Sequence, residues 1–162
     1  MMENSKQRIA LLLVIFTLLK IGFSDEPIDK YLGKKYTMST SENFDAVMKA
    51  LGVSMWYRFL ARVTTPQMVL SKSGDEYTLS LTSLVKNFVQ KFKPGDTNTI
   101  MTPDGRTANS TITFDGNVLN EIESDLNGKV TKIKRTFNDT HLVIVLEVDK
   151  IIAIRTYKAN KQ

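Results

Sequence analysis

The sequence predicts an all-β fold, a sandwich or a barrel of about ten strands, with a helical hairpin set in after the first strand. Three observations carry that expectation. Turn signals recur from Pro66 onward, at Ser73-Gly74-Asp75, Pro94-Gly95-Asp96, Pro103-Asp104-Gly105, Asp115-Gly116-Asn117, Asn127-Gly128-Lys129, Asn138-Asp139-Thr140 and Asp149-Lys150. The segments between them alternate in character, as in YTLSLTSL, KVTKIKRTF and LVIVLEVD. Short alternating strands separated by turns about 8–12 residues apart are the pattern of sandwiches and barrels. One stretch, Ser41 to Val63, breaks the rhythm with helical spacing instead.

Taken in order, the chain begins with Lys6 and Arg8 ahead of the apolar run IALLLVIFTLL, 11 residues in which only Thr17 is polar. Gly22 and Ser24 then stand at the small-residue positions of a cleavage site before Asp25. That layout is a secretory signal peptide over 1–24, with the domain occupying 25–162. A membrane anchor needs about 20 apolar residues, and Lys20 ends this run too early. Export makes Asn109 and Asn138, each in an N-x-[ST] sequon, candidate glycan acceptors, the alternative being plain surface asparagines.

The first strand is expected over Lys35–Thr40. Phe44, Val47, Met48 and Leu51 then follow at i, i+3, i+4 and i+7, which is one apolar helical stripe. Ser41 or Asn43 can cap that helix, and Gly52 is placed to end it. Ser54 can open a second short helix carrying Met55, Trp56, Arg58, Phe59, Leu60 and Arg62. About nine strands follow, with room for a further turn near Lys86-Asn87. A barrel of that size is too wide for its own side chains to fill and encloses a cavity. The helical hairpin is long enough to cover one open end.

Composition narrows the function. The net charge of the chain is +5, and the first 24 residues hold +2 of it. The remainder is too weakly basic, and too free of Lys/Arg-rich runs, for a nucleic-acid surface. With no cysteine in the chain, thiol catalysis, thiolate metal sites and disulfides are excluded. The single histidine, His141, sits at a turn, and no nucleophile–base set, metal cluster or phosphate loop is present. Neither an enzyme nor a cofactor is indicated.

Two arginines stand out by their phase. In IIAIRTYK, Arg155 shares a strand face with Ile151, Ala153 and Tyr157; in KIKRTFND, Arg135 shares one with Ile133 and Phe137. Both therefore travel with apolar residues that look into the interior, unless they lie at a rim and snorkel to water. Arginine stays charged, and burying it unpaired costs several kcal/mol. Glu147 and Asp149 fall out of phase with Leu142, Ile144, Leu146 and Val148, so no acidic partner is expected inside. A ligand carboxylate is the simplest counter-ion, with the Tyr157 hydroxyl as a further donor.

The stretch KKYTMSTSENFDAVMKAL, Lys34 to Leu51, resembles the signature of the intracellular lipid-binding proteins: aromatic Tyr36, hydrophobic Met38 and Asn43-Phe44-Asp45 opening the first helix. LSKSGDEYTLSL, TPDGRTANSTITFDGNVL and NGKVTKIKRTF follow in the order of that family, so the domain is similar to a fatty-acid-binding protein over its whole length. With its leader it resembles the exported branch found in roundworms. The resemblance implies a ten-stranded antiparallel up-and-down β-barrel capped by a helix-turn-helix lid, a monomer that holds one long-chain fatty acid. It places the family's carboxylate site on Arg135, Arg155 and Tyr157. Phe44 and Met48 would fall on the inner side of the lid, and Leu81, Ser83, Val85, Pro103, Asp104 and Arg106 near the cavity or its portal. Members that prefer an alcohol carry glutamine at the arginine positions, so an acid is implied, with a retinoid acid as the alternative to a fatty acid. The lid, with Lys49, Arg58 and Arg62 beside Met55, Trp56 and Phe59, could also deliver the ligand to an anionic membrane or a receptor. Departures from the family are Lys34 for an early glycine, Tyr36 for tryptophan, Val85 for a portal phenylalanine and Lys150 for a glycine at the last hairpin. Mass spectrometry of the exported protein is expected to find its N-terminus at or near Asp25; an intact Met1 would place the carrier inside the cell.

Overall fold

A computed structural model describes residues 27–161, so the leader expected over 1–24 lies outside the described residues. A 3-10 turn, Ile28–Tyr31, precedes strand β1 (Lys35–Glu42), helix α1 (Phe44–Ala50) and helix α2 (Met55–Val63). Nine strands follow: β2 (Gln67–Ser73), β3 (Glu76–Thr82), β4 (Asn87–Phe92), β5 (Thr97–Met101), β6 (Thr107–Asp115), β7 (Val118–Asp125), β8 (Val130–Phe137), β9 (His141–Val148) and β10 (Ile151–Ala159). They form one ten-stranded antiparallel sheet in the order β4-β3-β2-β1-β10-β9-β8-β7-β6-β5. The choice between sandwich and barrel is thus settled by β1, which pairs with both β2 and β10 and joins the two halves of the sheet. β4 and β5 are chain neighbours but share no ladder, which leaves a gap in an otherwise closed wall.

The strands form where the turn signals place them because each run has one apolar face to bury. On β3, Tyr77 and Leu79 are buried, and on β9, Leu142, Ile144 and Val148 are, while their neighbours along each strand are more exposed. β1 changes phase at a bulge between Met38 and Thr40, where one extra residue bends the strand toward β10. The end of the barrel away from the lid is filled with aromatics. Tyr31 and Tyr36 pack on Phe137, with ring centroids 6.2 and 5.8 Å apart, and Tyr77, Phe92 and Phe114 form a second cluster. Tyr36, standing where the family's tryptophan is expected, is buried and donates its hydroxyl to the Asn138 carbonyl at 2.9 Å.

At the opposite end, α1 buries Val47 against Val148 and Ala153, so the lid rests on the β9–β10 hairpin. The helical hairpin breaks where expected. Gly52 takes φ +73°, and its N–H and that of Val53 close back on the Lys49 and Met48 carbonyls. The capping expectation is corrected. Ser41 remains in β1, and Asn43 precedes α1 with φ 55° but makes no side-chain cap. Its amide instead donates to the Ile152 carbonyl at 2.7 Å, tying the start of the lid to β10. Ser54 likewise makes no side-chain cap.

Lys150 shows what the missing hairpin glycine does. Asp149 and Lys150 both adopt positive φ, 48° and 70°, the geometry of a tight two-residue turn that favours Asn-Gly or Asp-Gly. A β-carbon there costs roughly 1 kcal/mol. Lys150→Gly is accordingly expected to raise stability in urea unfolding by about that amount, and a loss would show that the lysine side chain contributes more than its backbone costs.

Candidate functional site

The lumen beneath the lid is a cavity, and its walls bring together most of the residues singled out from sequence. Phe44 and Met48 line it from α1, Leu81 and Ser83 from β3 and its turn, Pro103, Asp104 and Arg106 from the β5–β6 turn, and Arg135, Arg155 and Tyr157 from β8 and β10. Val85 is the exception. It lies half exposed at the β3–β4 turn and does not line the cavity, because the turn closed by Ser83 and Lys86 turns its apex outward. Phe88, Gln90 and Tyr57 are lining residues that sequence reading passed over.

Register explains how residues 20 apart in sequence meet. Arg135 of β8 pairs with Ile144 of β9, which pairs in turn with Arg155 of β10. Paired residues point to the same side of a sheet, so both guanidinium groups enter the lumen in one row. Each residue is 7% exposed, which excludes the alternative of rim arginines reaching water.

Their environments differ sharply. Arg135 donates through Nη1 to Glu121 Oε2 at 2.6 Å. Glu121 is completely covered, and its other oxygen accepts from Ser110 Oγ at 2.5 Å and Gln90 Nε2 at 3.0 Å. Burial alone would raise the Glu121 carboxyl. The Arg135 charge and the hydrogen bonds from Ser110, Gln90 and Arg135 outweigh it and hold it below its ordinary value. Arg155 has no carboxylate in contact among the described residues. Its guanidinium lies over the Phe44 ring at 4.1 Å and that of Tyr157 at 5.9 Å, donates one N–H to the Met38 sulfur, and leaves Nε unpartnered. Burial lowers its pKa, the signature of a charge that is desolvated without compensation. The neighbouring Tyr157 hydroxyl has no hydrogen-bond partner among the described residues, and burial raises its pKa.

Glu121 corrects the expectation that no acid faces inward. On β7 the neighbouring positions Val118 and Leu119 are both apolar, and Ile122 shares a face with Val118. That pattern permits the phase in which Ile122 is inside. The structure takes the other phase: Ile122 is half exposed, and Leu119, Glu121 and Glu123 look inward. The signal lay across strands, since Leu119 pairs with Arg135 and must share its face.

A second polar group lies nearer the portal. Arg106 Nε donates to Asp104 Oδ2 at 2.6 Å, with Asp125 at 3.4 Å and Glu123 at 3.8 Å. Burial and the Glu121 charge push the Glu123 carboxyl up to about 7, against the lowering effect of Arg135 and Arg106. His141, expected at a surface turn, sits there, with Nδ1 at 2.8 Å from the Thr140 hydroxyl. Asn109 is exposed on β6, while Asn138 accepts three hydrogen bonds within its own turn. Among the described residues no cluster of groups could hold a metal ion.

No family model matches the chain. Individual proteins do. The adipocyte fatty acid-binding protein of Pygoscelis papua is 33% identical over 130 residues, which cover 80% of this chain and 97% of that protein. The chain belongs to the fatty-acid-binding protein family. Solved structures agree with this. A fatty acid-binding protein from Drosophila melanogaster brain tissue superimposes with a TM-score of 0.76 at 39% identity, covering 80% of this chain and 99% of that one. The fatty acid binding protein of Schistosoma mansoni, solved with arachidonic acid, gives 0.78 at 32% identity, covering 83% and 98%. The ten-stranded wall and the two-helix lid are thus the fold of the fatty-acid-binding protein family.

Glu123 makes a measurable contribution. Its carboxyl titrates near 7 when folded, against an ordinary value of 4.5. Between those values the folded state keeps a proton that the unfolded chain has released. Stability therefore falls as pH rises from about 4.5 to 7, then levels off. Glu123→Gln is expected to remove that slope and to raise stability at pH 8 by up to about 3 kcal/mol, with no gain at pH 4. Urea unfolding at the two pH values checks this; an equal change at both would show that Glu123 does not titrate in the fold.

Proposed function

We propose that the protein is a non-enzymatic carrier of a long-chain fatty acid or a related lipid acid, held in the barrel lumen. The observation that carries this reading is Arg155, a buried guanidinium with no carboxylate beside it among the described residues. A monoanionic headgroup supplies the missing charge and accepts charge-assisted hydrogen bonds from Arg155, with the Tyr157 hydroxyl as a further donor. Arg135 contributes its remaining N–H groups from the same row, but its charge is already balanced by Glu121. An alcohol would leave Arg155 unpaired, so the charge count favours an acid over a retinol-like ligand. The arachidonic acid complex of the Schistosoma mansoni relative supports a fatty acid as the occupant. Burying the acyl chain adds about 0.8 kcal/mol per methylene against walls such as Leu81, Ile133 and Ile144.

The test separates the two arginines. Arg155→Gln is expected to weaken oleate binding about 30-fold or more, while the unliganded protein becomes no less stable because an uncompensated charge has gone. Arg135→Gln instead leaves Glu121 buried without its partner and is expected to destabilise the fold by about 3 kcal/mol. Unchanged oleate affinity in a folded Arg155→Gln protein would sink the proposed anchor.

A second reading concerns delivery. Met55, Trp56 and Phe59 of α2 are exposed, Trp56 at 65%, and the cations Lys49 and Arg62 share the lid. We propose that this face meets an anionic membrane transiently during transfer, an exposed apolar and cationic helix being suited to that interface. The rate of fatty-acid transfer to anionic vesicles should then rise with vesicle concentration. A rate independent of vesicle concentration would mean release by diffusion through water.

A further inference from the structure

Glu123 and Thr131 are cross-strand partners on β7 and β8, on the cavity face and side by side. Both are buried, at 5% and 1% exposure. They make no hydrogen bond to each other. The Thr131 hydroxyl has no partner at all among the described residues, and Glu123 has only Arg106 at 3.8 Å, too long for a hydrogen bond. The lumen wall therefore presents one hydroxyl without a partner and, beside it, one carboxylate whose ion-pair contact is too long to be a hydrogen bond. A plain acyl chain laid across them would leave the Thr131 hydroxyl unsatisfied, at a cost of about 1–3 kcal/mol, and would add no donor to the Glu123 carboxylate.

We infer that Glu123 and Thr131 form a subsite for a hydroxyl group carried along the acyl chain, so that the ligand is a hydroxylated long-chain acid. The inference rests on the carboxylate anchor proposed above. A hydroxyl fits both partners, donating to the Glu123 carboxylate while accepting from Thr131. With Glu123 ionised, a ketone only accepts and would leave that carboxylate without a donor. Position follows from the same strand: Thr131 stands four residues from Arg135 on β8, about 13 Å along it. The hydroxyl therefore belongs well down the chain and not beside the carboxylate.

The experiment compares octadecanoic acid with its mid-chain monohydroxy positional isomers. Binding to the full chain is followed by calorimetry at pH 8, where Glu123 is ionised. One isomer is expected to bind about tenfold more tightly than the parent acid, and Thr131→Val and Glu123→Gln are each expected to bring that ratio close to one. Valine keeps the branched strand-forming shape of threonine, so the ratio is read on a folded protein, with unfolding curves as the check. If no isomer outbinds the parent acid, or if the preference survives in both variants, the inference is overturned and the pair serves only to hold internal water. Parent-acid binding that is lost in Arg155→Gln while no hydroxyl preference exists overturns the subsite but not the anchor. No binding of either acid to the native chain overturns both.

Discussion

Two arginines that cannot give up their charge are built into the wall of this barrel, and one carboxylate, Glu121, decides how the rest is arranged around them. Glu121 neutralises Arg135 across β7 and β8, and its other oxygen receives Ser110 from β6 and Gln90 from β4. Those last two bonds matter because β4 and β5 share no ladder. The covered carboxylate thus joins β4 to β6 and β7 through side chains where the backbone does not close the wall. Deep burial of such a network is tolerated because both Glu121 oxygens are occupied.

Settling Arg135 internally leaves Arg155 as the charge that the fold does not settle. The barrel holds it over the Phe44 ring, a weaker partner than a carboxylate. Phe44 opens α1, and α1 rests on the β9–β10 hairpin, so Arg155 and the lid share a contact. Arg155 is therefore coupled to the element that covers the cavity mouth. Farther along β8 the polar character returns at Thr131 and Glu123, so the lumen is a sequence of distinct chemical zones along one strand and not a uniform greasy tube.

Much of this was legible in the chain itself. The turns were found because glycine, asparagine and aspartate mark positions of unusual backbone, and the hairpin residues Asp149 and Lys150 adopt the left-handed geometry that such a tight turn demands. The inward direction of Arg135, Arg155 and Tyr157 followed from the period of two along a strand with an unambiguous apolar face. β7 resisted the same treatment, since Val118, Leu119 and Ile122 put apolar residues on both faces. Asn43 looked like a helix cap by type, yet its amide found a carbonyl on β10, a partner 109 residues away in the chain.

Sequence by itself determined the strand count, the helical insertion and the presence of guanidinium groups inside, because each is written in local periodicity and in a charge that cannot be titrated away. Tertiary structure decided which guanidinium is free. That outcome depends on the register of β7 against β8 and on the reach of Gln90 and Ser110 from other strands. Pairing of charges inside a barrel is a property of neighbouring strands, and no single strand carries it.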